Sequence, residues 1–578
     1  MNAVKITLLF FVLIAIRLPA QTLYFNGLGR VLVTNDAIDG NINVNDKQSI
    51  RKATGGYTLF DLGINVQPSE FLRASVTLRA KNAFGGFYGD GSVITFRQFK
   101  LDGIISKKVK YEVGDIDLML TPYTLFNNYE SYIDHEAELF NQRRKIVYYE
   151  NFNFGNKWRL QGANVTAQLV SDRYIEKIGL QFFATRIARA NYFNNQVPDR
   201  LLLGSRIDVL QSKYFQYGLN YAQLNDVHGT SPSPSVVLNN KVLTGDWKLS
   251  LRKGDFVWSI YGEAGGSTYT YSASDSSRSK QDYFYDAGIS MLYKPLKLKV
   301  FAAVKNVGKD FNSPSAQTRR VFDLATNSLF PSYTFSGATT WRTPTLFDRF
   351  TDEKSMRNTT IMDTLVQFNP LYNNVQPYGS ATPNRQGITA GISLGTDEKI
   401  VHADLNMAFL QEVTEEINNG RRQFLLLQGG ANVNLNKWWK RDQKCVFTMG
   451  FQYEKTKRDL QPNVISLQSG FVDVGLSYEI LKSFDILFAY KTFSGKGNEF
   501  YSKRDAFNVL VTNPVQVLNF DLTQQIFGGG LRLCHSKNSF TTLQYYFIKV
   551  NDSLLKDSNG NALEYNVKQL FVQYNLIF

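Results

Sequence analysis

At 578 residues the chain is long enough for several soluble domains, and with 43% hydrophobic residues and a net charge of +14 it is basic without being apolar. No interior apolar run reaches the roughly 18 residues of a spanning helix, and two cysteines exclude a disulfide framework. The 31 Tyr and 43 Phe against 6 Trp favour a protein built from β-formers and interfacial aromatics.

Lys5 precedes the apolar run 6–16, and Arg17-Leu18-Pro19-Ala20 ends on a small residue. This pattern predicts a secretory signal over 1–20, cleaved after Ala20, with the mature chain starting near Gln21. Removing Lys5 and Arg17 lowers the charge from +14 to +12. Asp36, Asp39, Asn41, Asn43 and Asp46 form an oxygen-rich loop, but its spacing is not that of an EF-hand, so a solvated loop is expected.

Period-two alternation then recurs along nearly the whole chain. Val401, Ala403, Leu405, Met407 and Phe409 oppose His402, Asp404 and Asn406. Cys445, Phe447, Met449, Phe451 and Tyr453 oppose Thr448, Gly450, Gln452 and Glu454. Val472, Val474, Leu476, Tyr478 and Ile480 oppose Asp473, Ser477 and Glu479. The count of such segments predicts roughly 22 to 26 antiparallel strands, and an even number is expected if they close into one barrel. Lys294-Pro295, Asn436-Lys437 and Leu481-Lys482-Ser483 read as short turns, and Ser558-Asn559-Gly560-Asn561 as a hairpin turn whose Asn-Gly accepts positive φ. Long polar connections are expected at 35–56, 85–91, 225–242, 265–281 and 495–504. The largest irregular stretch, 306–386, predicts a surface loop or a lumen insertion, with one strand-like segment at 333–341. No globular plug is apparent ahead of the first strand-like segment at Leu59.

The last nine residues carry the strongest signal. Leu570, Val572, Tyr574, Leu576 and Phe578 form one apolar row, with Gln573 and Asn575 on the other face. An apolar row running to a terminal Phe suits lipid better than a soluble sheet edge. The stretch resembles the terminal strand of bacterial outer-membrane β-barrels. That resemblance implies that Tyr574, Leu576 and Phe578 are read by the barrel assembly machinery. A second likeness lies in Val113-Gly114-Asp115, a polar aromatic excursion through Arg143-Arg144, and 160–165. This arrangement resembles uncharacterised Bacteroidetes-type outer-membrane barrels and implies the same compartment.

Within a barrel, Arg73, Arg79 and Lys81, and Lys248 and Arg252, fall on the polar face, where positive charge in an aqueous pore concentrates anions. Base clusters at strand ends (Lys107, Lys108 and Lys110; Lys437, Lys440 and Arg441) suit lipid and lipopolysaccharide head groups instead. Dispersed charge with no binding motif argues against nucleic acid. His402 and Asp404 share a face but have no partnered nucleophile, and His135, His228 and His535 lack metal spacing, so neither an enzyme, a metal nor a cofactor is expected. Cys445 and Cys534 pair only if the fold brings them together. The sequence therefore predicts an all-β, single-domain outer-membrane barrel over 21–578, porin-like and passing hydrophilic, anionic solutes. The alternative is a scaffold that docks a periplasmic or surface partner, or a secretion complex, through 306–386.

Overall fold

The computed structural model describes residues 22–41, 52–85, 92–126, 135–151, 160–171, 174–190, 198–230, 237–273, 276–317, 321–322, 334–335, 338–339, 356–357, 365, 370–396, 399–416, 420–460, 464–500, 517–556 and 560–578. The signal sequence expected over 1–20 lies outside them, as do Asn43, Asp46, Ser558 and Asn559.

The alternating segments are strands, and among the described residues 22 of them form one sheet. In chain order they are β1 Thr22–Gly40, β2 Lys52–Ser69, β3 Leu72–Ala83, β4 Ser92–Ile105, β5 Val109–Ile116, β6 Leu160–Val170, β7 Lys177–Ala188 and β8 Arg200–Leu210. There follow β9 Phe215–Asp226, β10 Val237–Lys253, β11 Phe256–Ala273, β12 Ser276–Tyr293, β13 Leu298–Val307, β14 Arg385–Leu394 and β15 Val401–Gln411. The rest are β16 Gln423–Asn434, β17 Cys445–Arg458, β18 Ile465–Leu481, β19 Phe484–Phe500, β20 Val517–Ser536, β21 Ser539–Lys556 and β22 Ala562–Ile577. Each pairs antiparallel with its chain neighbours, and β1 pairs with both β2 and β22, from Leu28↔Ile577 to Gly40↔Tyr565. The sheet is a closed barrel and has no edge.

Period-two patterning sorts the side chains as expected. Outward positions such as Phe60, Phe182, Ile260, Phe409, Met449, Phe488 and Phe527 are exposed apolar groups. On β22, Leu570, Tyr574 and Leu576 are likewise exposed, while Gln569, Phe571, Gln573 and Asn575 are buried inside. Phe578 continues the outer row, stacking on Phe60 at 5.6 Å between centroids, and its backbone exchanges hydrogen bonds with Gly27 at 2.8 and 3.1 Å.

The two ends differ. The connections β2–β3, β10–β11, β18–β19 and β20–β21 are tight turns on the end that carries both described termini, and the long connections lie at the other. Several expected loops are shorter than predicted. The expected loop at 265–281 is mostly ladder, because its Ser/Thr/Tyr run still alternates: Tyr269 and Tyr271 point inward and are buried, and pairing continues to Ala273↔Ser276. β10 starts at Val237 within the predicted 225–242 loop, and β19 runs through Gly495 and Gly497 to Phe500. The short turn expected at Asn436-Lys437 is instead a ten-residue connection between Asn434 and Cys445, with a one-turn helix at Leu435–Trp438. The strand expected within 333–341 is reduced to Thr334–Phe335 pairing with Ala338–Thr339. Gly560 has φ of 81°, the positive value that the Asn-Gly turn requires.

Closure depends on Gly27. A Cβ there would collide with the Asp61 carbonyl oxygen and come within 2.6 Å of the Phe578 ring. Gly27→Val is therefore expected to open the seam and lower the heat-modifiable, folded fraction on electrophoresis several-fold; an unchanged fraction would remove Gly27 from the closure.

Candidate functional site

The inside of the barrel is filled from the connection between β5 and β6. Past Ile116 the chain turns inward, so that the expected polar excursion is an internal belt rather than an external loop. Thr121 Oγ1 donates to Glu263 Oε1 at 2.6 Å and Tyr123 OH to Asp286 Oδ2 at 2.6 Å, placing this part against β11 and β12. Residues 135–139 then lie along β15 to β20, followed by a helix, α1, at Glu138–Asn151. Gln142 accepts from Gln544 Nε2 on β21 at 2.7 Å. The Arg143 guanidinium lies 4.5 Å from the Tyr546 ring centroid and 5.4 Å from that of Phe571. Tyr149 OH donates to Asp61 Oδ2 on β2 at 2.6 Å. Between β5 and β6 the belt thus contacts successive strands around the wall.

Its seat is a track of small inward residues. Gly430 pairs with Gly450, Thr448 with Gly475, Gly475 with Ala489 and Ala489 with Gly528, so the track crosses five strands. A Cβ on Gly430 would strike the His135 Cβ, one on Gly450 would lie 2.7 Å from the His135 carbonyl oxygen, and one on Gly475 would strike the Ala137 Cβ. On Gly530 it would lie 3.0 Å from Leu139 Cδ1. Glycine is present here because another segment passes where a side chain would be. α1 then buries Leu139, Phe140, Arg143 and Ile146, while Glu138, Asn141 and Lys145, spaced about one turn apart, remain accessible.

Charge fixes the belt to the wall. Glu136 is fully enclosed and accepts from Arg144 Nε at 2.6 Å and Nη2 at 2.9 Å, and from Lys491 Nζ at 2.5 Å. Lys491 also lies 2.8 Å from Asp473 Oδ2, and Asp473 Oδ1 accepts the Ala137 N–H at 3.1 Å. Arg532 joins Glu138 and Asp485, each at 2.7 Å. Burial alone pushes the Glu136 carboxyl up, but Arg144 and Lys491 outweigh it and hold the group down at about 2.

The described ends of the expected 306–386 insertion also fold inward, above the belt. Ser315 Oγ donates to Thr124 O at 2.5 Å and Asn240 Nδ2 to Asn312 O at 2.8 Å. Asn374 N–H donates to Glu454 Oε2 at 2.6 Å and its Nδ2 to Glu499 Oε2 at 3.0 Å, while Tyr372 stacks on Phe493 at 4.9 Å. Among the described residues the interior is packed toward the loop end and the inward side chains become exposed toward the turns. Along β10 the inward Leu238, Asn240, Val242 and Thr244 are buried, whereas Lys248 and Arg252 are exposed.

The sequence-selected bases share the inward face but do not act as one positive row. Arg79 is locked to Asp61 by two contacts of 2.8 Å, Arg73 pairs with Asp102 at 3.1 Å, and Lys81 sits 4.4 Å from the Tyr57 ring centroid. The carboxylates that hold Arg79 and Arg73 are on neighbouring strands, a pairing set by the register between strands. His402 and Asp404 meet His135 of the belt: Asp404 Oδ1 bonds His135 Nε2, and the two imidazole rings are 5.1 Å apart. Asn406 Nδ2 donates to Asp404 Oδ2 at 3.0 Å. Among the described residues no three His, Cys, Asp or Glu side chains gather as a metal site, and Cys445 and Cys534 are free thiols. Asp36 instead accepts from Gln569 at 2.6 Å inside the barrel, and Asp39 caps the Gly40 N–H at 2.9 Å.

No family model matches the sequence, and no curated protein matches it. Among solved structures the chain is similar to Pseudomonas aeruginosa OccK2 (OpdF), solved in complex with glucuronate, at 9% identity over 97% of this chain and 99% of that one, with a TM-score of 0.36. It is also similar to Pseudomonas aeruginosa OpdL, at 9% identity over 96% and 99% with a TM-score of 0.36. The third is the outer-membrane expressed OmpT of Vibrio cholerae, at 8% identity over 97% and 98% with a TM-score of 0.27.

Two outcomes test the belt. Gly450→Leu is expected to lift residues 135–139 off the wall and raise amide exchange in α1 at least roughly tenfold while the barrel ladder stays protected; unchanged exchange in α1 would show that the track is not its seat. Because the Glu136 carboxyl is held below its ordinary range, its anchoring contribution is complete above about pH 4.5 and is lost as pH falls toward 2. Exchange in α1 should therefore be flat from neutrality to about pH 4.5 and climb below it, a climb absent in Glu136→Gln. A rise attributable to Glu136 already at pH 6 would contradict the assignment.

Proposed function

We propose that the protein is an outer-membrane channel that passes small hydrophilic solutes, anions in preference, between a turn-end vestibule and the loop end, with the belt as its constriction. The exposed apolar exterior and closed ladder support a lipid setting, since only a closed sheet satisfies all its backbone groups in hydrocarbon.

The observation that carries the solute class is the foot of the inner wall formed by β5 to β13. Lys110, Lys177, Lys248, Arg252 and Lys299 occupy inward positions there and have no ion pair among the described residues. The carboxylates on the same wall are engaged. Glu112 pairs with Lys100 of the adjoining β4, and Asp208 and Asp246 with Arg206, while Asp102 on β4 is taken up by Arg73. Farther in, Glu263 and Asp286 accept from Thr121 and Tyr123 of the belt. The uncompensated charge at the vestibule is therefore positive, and a low-dielectric wall focuses its field on the water inside. The accessible Lys145 of α1 extends the same sign onto the belt.

Planar-bilayer recording under a salt gradient tests the proposal. Wild type should conduct with a reversal potential on the anion side, and Lys248→Glu with Arg252→Glu should move it toward cations by an amount that shrinks as salt rises. A folded barrel without conductance, or one whose reversal potential ignores the double substitution, would reject the channel or its selectivity respectively.

A further inference from the structure

The connection between β16 and β17 stands apart from the rest of the turn end. It has ten residues between Asn434 and Cys445, whereas the β2–β3, β10–β11, β18–β19 and β20–β21 turns each have two. It is also ordered. Leu435–Trp438 make one helical turn, α2; the Trp439 N–H closes on Leu435 O at 2.9 Å and the Arg441 N–H on Asn436 O at 2.8 Å. Lys440 takes φ of 53° to reverse the chain. Glu479 on β18 braces the far side, its carboxylate accepting the N–H groups of Lys444 and Ser483 at 3.1 Å each, and its own N–H donating to Lys444 O at 2.8 Å.

This platform holds two indoles in the open. Trp438 is 66% and Trp439 56% exposed, and the adjoining turns add exposed Ile400 and Leu481. Lys437, Lys440, Arg441 and Lys444 flank the indoles in the chain against one acid of the turn, Asp442, and the Glu479 carboxylate beside it is taken up by backbone N–H groups. The turn does not stand away from the barrel. Cys445 belongs to the outward row of Phe447 and Met449 yet is 5% exposed, and its N–H is directed at Asn436 Oδ1 3.5 Å away, so the turn closes on the first residue of that row.

We infer that this turn is a binding site for anionic phospholipid head groups in the leaflet that meets the turn end. Indoles carry an apolar body and one N–H, which places them at the boundary between hydrocarbon and water. Lys and Arg beside them lay their stems on that boundary and reach a phosphate diester. A soluble partner would be met by a turn that stands clear of the barrel, whereas this one abuts the apolar outward row that starts at Cys445 and is flanked by exposed Ile400 and Leu481. The inference rests on the membrane setting proposed above, but not on conduction.

The protein in lipid nanodiscs provides the test. The emission difference between wild type and Trp438→Phe/Trp439→Phe isolates the two indoles. It should be blue-shifted and quenched roughly threefold more by brominated phosphatidylglycerol than by brominated phosphatidylcholine. Lys440→Ser/Arg441→Ser/Lys444→Ser should abolish that preference and keep the quenching. Equal quenching by both lipids in wild type would leave an unselective anchor and overturn the inference. Unquenched emission at the wavelength of indole in water would overturn it in favour of a soluble partner. Loss of conductance with the lipid preference intact would fell only the channel proposal, and failure to enter the discs would fell the membrane setting itself.

Discussion

Everything in this structure depends on the pairing of β1 with β22. A sheet of this length with an apolar exterior cannot leave a row of N–H and C=O groups open, because in hydrocarbon nothing else would satisfy them. Once β1 bonds to neighbours on both sides, each strand has one face outside and one inside, and the alternation of the sequence becomes a division between two environments. The Gly27–Phe578 hydrogen bonds and the stacking of Phe60 on Phe578 extend that pairing to the last residue.

The inside face then faces its own problem. Inward Asp, Glu, Arg and Lys side chains near the loop end are buried under the belt and the ends of the 306–386 segment, where an unpaired charge would cost several kcal/mol. They are satisfied in networks, of which Glu136–Arg144–Lys491–Asp473 is one and Arg422 with Glu412, Glu416 and Glu499 another. Such networks add little net stability compared with an apolar core, but they fix register: Glu136 finds two cations only when Ala137 rests on Gly475. Lys110, Lys177, Lys248, Arg252 and Lys299, at the foot of the wall formed by β5 to β13, are what remains without an ion pair among the described residues.

Fold and outer surface were legible in the sequence because a period of two is a local property. Rows such as Val472 to Ile480 and Leu570 to Phe578 needed no partner to be recognised. Turn chemistry was less informative. Gly265-Gly266-Ser267-Thr268 has the composition of a loop, yet the ladder runs through it because Tyr269 and Tyr271 bury their rings inside the barrel. The interior was mostly hidden for a different reason. Arg79 looked like a free lumen base because its partner Asp61 is 18 positions away on the next strand, and His135 looked isolated because Asp404 is 269 positions away. One signal was available: glycines at inward positions of successive strands, Gly430, Gly450, Gly475 and Gly528, mark a path that something else must fill.

The belt has a consequence for the order in which the molecule can be made. It leaves the chain between the fifth and sixth strands, yet its anchors, Lys491, Arg532 and Gln544, belong to strands synthesised more than 300 residues later. Both of its ends are rooted in the wall, at Ile116 and Leu160. A segment tethered in this way is not easily threaded into a cylinder that has already sealed. The early strands must therefore hold it on the concave side of a sheet that is still open, and the late hairpins must wrap around it. On this view the belt is first a former over which the wall is bent, and only afterwards the narrowing inside it.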